Sequence, residues 1–249
     1  MKRIYINTTL LIIFLMLPGI SPLRAQFFFD VETGVVFTGY NDVRIPGNTG
    51  TLFSMSEELE ASPKIDLRIR AGYILGTRHN LSLLYAPLTV KSEGSIPRDI
   101  NFEGVIFPSN TQLKGSYKFN SYRITYRYDI VERPEFEFGL GFTAKIRDAR
   151  IALTSADIES EKTNVGFVPI INFLVAWKPR EDLSFLLEGD ALAAPQGRAE
   201  DVFIGAKYDI SDKIGLKAGY RLLEGGADND EVYNFALFNY AAFGILIRL

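Results

Sequence analysis

The chain has 249 residues, 47% of them hydrophobic and 13% aromatic, and its 27 Lys and Arg against 30 Asp and Glu give a formal net charge of −3. It contains no Cys and one His. Disulfides and thiolate metal sites are therefore excluded, and an acidic chain of this kind is a poor nucleic-acid binder.

The N-terminus carries Lys2 and Arg3, a short apolar stretch from Leu10 to Leu17, and Ala25 followed by Gln26. That order predicts a signal peptide over residues 1–25, because the apolar stretch is too short to cross a hydrocarbon core of ~30 Å as a helix. Its removal takes Lys2, Arg3 and Arg24 and no acid, so the net charge of −3 becomes −6 in a mature chain of residues 26–249. No Cys stands at the cut to carry a lipid anchor. Nowhere else is there a run of ~18 apolar residues, so no transmembrane helix is expected.

From there on, short alternating runs follow one another. Apolar and polar residues at period two are the mark of strands with two different faces. The pattern predicts strands near 27–40, 63–75, 80–93, 112–130, 134–152, 164–178, 182–193, 199–210, 213–224 and 232–249. Tight turns (76–79, 131–134, 179–182, 211–212) alternate strictly with longer connections (41–62, 94–111, 153–163, 194–198, 225–231). Such alternation describes an up-and-down meander with two unlike ends. Ten strands put both termini at the short-turn end, and eight is the alternative if the first strand or the 194–198 connection is discounted. The whole mature chain reads as one domain.

Along these strands one face is apolar and aromatic, as in Ile65, Leu67, Ile69 and Tyr73, or Phe136, Phe138, Leu140 and Phe142. The other mixes Gly with both signs of charge. Periodicity alone does not say which face is the interior. The 19 Phe and 12 Tyr, with Trp177 near a strand end, favour an apolar wall toward lipid with aromatic girdles and a polar lumen. The polar face then holds Asp30, Glu32, Asp66, Glu137, Glu188, Asp190 and Asp209 together with Arg68, Arg70, Arg123, Arg127, Lys145, Arg147, Lys207, Lys217 and Arg221. Those charges either line a polar pathway or fill a narrow lumen as ion pairs, since buried charges are tolerated mainly when paired. About eight strands leave an interior just filled by side chains, and ten add little, which favours the filled lumen.

Other candidates are weaker. His79, the one His, lies in a tight turn between the second and third strands, at the short-turn end, so nucleophile–base catalysis of the usual kind is not expected. Glu188 and Asp190 share a face, but two acids at that spacing are ordinary in a polar lumen. The loops at the far end are acidic, and Asp228, Asp230 and Glu231 offer oxygen ligands of the kind Ca²⁺ prefers, without the spacing of an EF-hand loop. A solvated loop is the simpler reading. Pro87 and Pro169 fall on the outward face of two strands, where proline marks a bulge or, less simply, a place where the wall opens toward lipid.

The final strand ends with Phe243, Ile245, Ile247 and Leu249 on one face and Ala242, Gly244, Leu246 and Arg248 on the other. Signal peptide, meander and terminal strand together resemble a bacterial outer-membrane β-barrel, in which the last strand closes the barrel and is recognised by the insertion machinery. LAAPQGR from Leu192 to Arg198 and GYRLLEGGADNDEVYNFA from Gly219 to Ala236 resemble a family of small outer-membrane barrels to which no activity attaches. The resemblance implies an integral outer-membrane protein of Gram-negative bacteria, monomeric, in contact with membrane lipid and lipopolysaccharide. It implies a location and a fold but no activity, and from the residues themselves no cofactor, nucleic-acid partner or enzymatic role is expected. The expected function is a structural or passive small-solute role, with a channel for small polar or hydrophobic solutes as the alternative and an outer-leaflet lipid-modifying enzyme as a distant third.

Overall fold

A computed structural model describes residues 25–195 and 197–249, so the signal peptide expected over 1–25 lies, but for Ala25, outside the described residues. Ten antiparallel strands form the wall: β1 (Ala25–Arg44), β2 (Lys64–Leu75), β3 in two segments (His79–Ala86 and Thr89–Ser95), β4 (Gln112–Arg133), β5 (Phe136–Thr154), β6 (Glu159–Arg180), β7 (Leu183–Ala194), β8 (Gly197–Ser211), β9 (Ile214–Asp228) and β10 (Tyr233–Arg248). Each pairs with the next in sequence, and β10 pairs with β1 from Phe28–Arg248 to Arg44–Tyr233, which closes the barrel. The count is ten, not eight.

The wall is apolar on its outside. Phe29, Ile69, Leu83, Ile124, Phe142, Ile171, Leu187, Ile204, Leu216 and Ile245 all present large exposed side chains. A continuous band of this kind is far larger than water-exposed surfaces carry, and lipid is the solvent that stabilises it. Near the short-turn end Trp177 stacks on Phe185 at 5.6 Å and Phe27 meets Tyr73 at 4.7 Å, in the manner of an aromatic girdle. That end is built from tight turns, where Gly76 takes φ = +67°, a conformation glycine adopts at little cost.

Three connections at the opposite end are shorter than the sequence pattern predicts, because the strands run on past the apolar band. β5 and β6 remain paired up to Thr154–Glu159, so Glu159 and Glu161 are strand residues. Their charge is met across the ladder by Arg150, 3.8 Å from Glu159 and 2.5 Å from Glu161. Likewise β7 and β8 pair to Ala194–Gly197, and β9 and β10 to Asp228–Tyr233.

The two long connections, 45–63 and 96–111, fold over this end as a lid. Phe53–Ser54 pairs with β1, Glu60–Ala61 pairs with β3, and Ile100–Phe102 forms a hairpin with Val105–Phe107. The hairpin turns through Glu103 and Gly104, both at positive φ, as a two-residue primed turn requires. Ile45, Phe53, Leu59, Ile100, Phe102 and Phe107 are fully buried in it, with Phe53 and Phe102 edge to face at 6.1 Å. Main-chain bonds from Glu103 to Ile45 and from Thr51 to Asn101 tie the two connections together.

Candidate functional site

Within the apolar band the interior is polar. Alternation turns every second residue inward, and the barrel's small radius leaves those side chains little water to retreat into, so in the central layer each charge finds its partner on another strand. Asp201 of β8 is the centre. It accepts from Arg68 of β2 at 2.9 Å, from Arg123 of β4 at 2.5 Å and from Arg221 of β9 at 2.7 Å. Arg123 also donates to Asp190 of β7 at 2.6 Å. Arg221 places its other two nitrogens on Glu32 of β1 at 2.6 and 2.8 Å, the bidentate geometry that makes guanidinium–carboxylate pairs strong. Lys217 donates to Asp30 at 2.7 Å and lies 3.4 Å from Glu188, which Arg70 approaches at 3.7 Å.

Five cations (Arg68, Arg70, Arg123, Lys217 and Arg221) thus meet five carboxylates (Asp30, Glu32, Glu188, Asp190 and Asp201) in one layer. Neutral donors complete it: Thr143 and Asn172 reach Asp190 at 2.7 and 2.9 Å. Phe203 fills the remaining space, with Lys217 and Arg221 over its ring at 5.2 and 5.3 Å. The layer bridges strands on opposite sides of the barrel, and a small pocket beside Arg70, Arg127 and Asp190 holds about 30 Å³.

The remaining charges named from the sequence sit elsewhere. Arg127 pairs with Asp129, Glu137 with Lys178, and Lys207 with Asp209, all toward the short-turn end. Asp66 is buried on the lumen face without an ion pair among the described residues. Lys145 and Arg147 lie above the layer. Asp228, Asp230 and Glu231 do not converge: Asp228 ends β9, and Asn229 folds the loop tightly by accepting from the main chain of Glu231 and Val232. Among the described residues no group of three acids or histidines could hold a metal ion. His79 opens β3 at the short-turn end, with Nδ1 2.8 Å from the Tyr126 hydroxyl.

Sequence reasoning missed Asp201 and Asp129. Asp201 shares its parity with Lys207 and Asp209, so the inward phase of β8 already pointed to it. Asp129 similarly follows Arg123 and Arg127.

Above the charged layer and below the lid lies a cavity of about 390 Å³. Its lining is mostly apolar, with Phe119, Ile151, Val168, Leu192, Leu223 and Phe238 among its walls, and Lys145 and Arg147 at its side. The wall is incomplete here. β6 and β7 pair only as far as Ile171–Ala191. Above that rung β6 stays paired with β5 and β7 with β8, while no pairing joins β6 to β7. Lys178 donates its main-chain N–H to Glu135 beside β5, so alternation turns the nitrogens of odd-numbered β6 residues toward β7. Pro169 occupies one of these positions and has no hydrogen to offer, so it cannot extend the ladder. Pro87, by contrast, marks the two-residue break in β3, where Leu88 is buried against the core.

No protein-family model and no curated protein sequence matches the chain. Among solved structures, the outer membrane protease OmpT from Escherichia coli is similar at 9% identity over 90% of this chain and 97% of that one, with a TM-score of 0.54. An outer membrane channel from Pseudomonas putida F1 is similar at 9% identity over 94% and 100%, with a TM-score of 0.43. The outer membrane protein OprG from Pseudomonas aeruginosa is similar at 9% identity over 91% and 97%, with a TM-score of 0.37. At such identity the first of these shows the fold alone, which is that of a bacterial outer-membrane β-barrel.

Proposed function

We propose that this chain is an integral outer-membrane barrel whose axis is closed to ions and polar solutes, serving as a wall-embedded structural protein rather than as a pore or an enzyme. The observation that carries this reading is Asp201. One carboxylate accepts from arginines on β2, β4 and β9, so the ion pairs span the lumen instead of lining it. An open polar pathway needs side chains that stay hydrated and leave a continuous gap, whereas here the charges neutralise one another in a single layer. The lid closes the same axis a second time. A catalytic role draws no support from His79, which forms no ion pair among the described residues and stands at the end of the barrel away from the cavity. Reconstituted into liposomes, the protein should leave swelling in isosmotic arabinose or potassium chloride at the rate of protein-free vesicles. Rapid swelling in either solute would overturn the reading.

A further inference from the structure

The cavity above the charged layer has three properties that belong together. Its walls are mostly apolar, it opens sideways, and it carries a cation that forms no ion pair among the described residues. Lys145 is 3% exposed, lines the cavity, and makes no hydrogen bond or ion pair among the described residues; its ammonium rests 4.7 Å above the Phe119 ring. Arg147, two residues on and on the same face, bonds through one terminal nitrogen to Asn164, and its Nε is buried without a partner. A buried ammonium beside an unsatisfied guanidinium nitrogen is costly unless something negative reaches it. The nearby acids are engaged or turned to solvent: Asp190 and Asp201 are bound by Arg123, Arg68 and Arg221, Glu224 of the cavity lining is bound by Arg198, and Glu231 is exposed in the loop above.

The opening above Ile171–Ala191 gives the way in. Its β6 rim turns Val165 and Phe167 outward, 72% and 66% exposed, as lipid-facing residues are. Val168 on β6 and Leu192 and Ala194 on β7 line the cavity from the two sides of the parted wall. At the edge of the cavity Arg198 pairs with Glu224 at 2.8 Å and lies over Phe235, a polar group where the apolar band ends. The opening therefore lies at the outer border of the apolar band, where the acyl chain of a membrane amphiphile meets its head group.

We propose that this cavity binds a single-chain anionic amphiphile entering from the lipid between β6 and β7, its head group held by Lys145 and Arg147 and its alkyl chain lying along Val168, Leu192 and Leu223 toward the opening. About 390 Å³ lies within the range of small-molecule sites. The chemistry is shared by a free fatty acid and by an alkyl phosphate of lipid origin, and the binding does not depend on whether the axis conducts.

The test uses the protein in phosphatidylcholine nanodiscs with four probes of one chain length: dodecanoate, dodecyl phosphate, dodecanol and dodecyltrimethylammonium. Binding is read by NMR of ¹³C-labelled head-proximal carbons, with empty nanodiscs as the reference. One or both anions should saturate a protein-dependent signal, and the alcohol and the cation should not. Preference for dodecanoate assigns the free acid as ligand, and preference for dodecyl phosphate assigns the lipid-derived one. Lys145→Gln should weaken anion binding at least tenfold, and Lys145→Arg should retain most of it. Because removing a buried charge could alter folding, Leu192→Trp provides a second variant: it fills the cavity, leaves both cations in place, and should abolish binding while the barrel keeps its resistance to heat and detergent. Absence of anion binding to the wild type, equal binding of dodecanol, or unchanged anion affinity in Leu192→Trp would each overturn the proposal.

Discussion

The lower and upper halves of the lumen solve the same packing problem in opposite ways. Within the apolar band the interior is charged and the outside is greasy. Under the lid the interior is greasy, built on Phe53, Phe102 and Phe107, and the outside carries ion pairs such as Lys118–Asp148 and Arg150–Glu161. A β-strand permits this inversion because its two faces are independent and only the surrounding solvent decides which must be apolar. The boundary between the halves is where the wall parts, where Lys145 lacks a partner, and where the cavity of about 390 Å³ lies.

The sharpest way to break this contrast is Asp201→Ala. It leaves Arg68, Arg123 and Arg221 without their common acceptor, and losing one member of a buried charge network costs about 3–5 kcal/mol. Unfolding in urea with the protein in detergent micelles should show that loss. Asp201→Asn, which keeps an acceptor oxygen but not the charge, should fall between the two.

Next in size is Phe102→Ala in the lid, where a fully buried ring is removed at a cost of about 3 kcal/mol. Here the loss should be local. Amide exchange in the 100–107 hairpin should accelerate, and the barrel's heat resistance should stay as it was, because the lid core lies outside the charged layer. Arg221→Lys should cost less, about 2 kcal/mol, since it keeps the charge and gives up the fork on Glu32. It should lower the urea midpoint without changing the slope.

The smallest effect is a pH response of the lid. Arg98 donates to Glu58 and holds its carboxyl below the ordinary carboxylate range. A depressed pKa contributes stability that is complete above the unfolded value, about 4.3, and is lost as pH falls through the folded one. Protease cleavage of the 45–63 connection should therefore rise below about pH 4 in the wild type, and Glu58→Gln should remove that dependence.

What the sequence made legible follows from the same contrast. The ten strands and the lumen face of Arg68, Arg123 and Lys217 were readable because lipid on one side and a narrow interior on the other impose period two. The upper ends of β5, β6 and β9 were not, because Glu159 and Glu161 look like loop residues until Arg150 is seen across the ladder, and Asp228 until its pairing with Tyr233 is seen. The lid left no periodic trace: Ile45, Leu59, Ile100 and Phe107 are scattered through two connections and meet only in three dimensions. Asp201 was accessible by parity but hidden beside Glu200 at a strand start. Pro169 hinted at an opening, yet only the end of pairing at Ile171–Ala191 locates it.

The closed axis is tested most directly by single-channel recording of the refolded protein in planar bilayers in 1 M potassium chloride, comparing wild type with Asp201→Ala. The account predicts a silent wild type and intermittent conductance once the shared acceptor is removed. Steady ohmic conductance in the wild type, unchanged by Asp201→Ala, would contradict it and would mean that ions find a path through the layer as it stands.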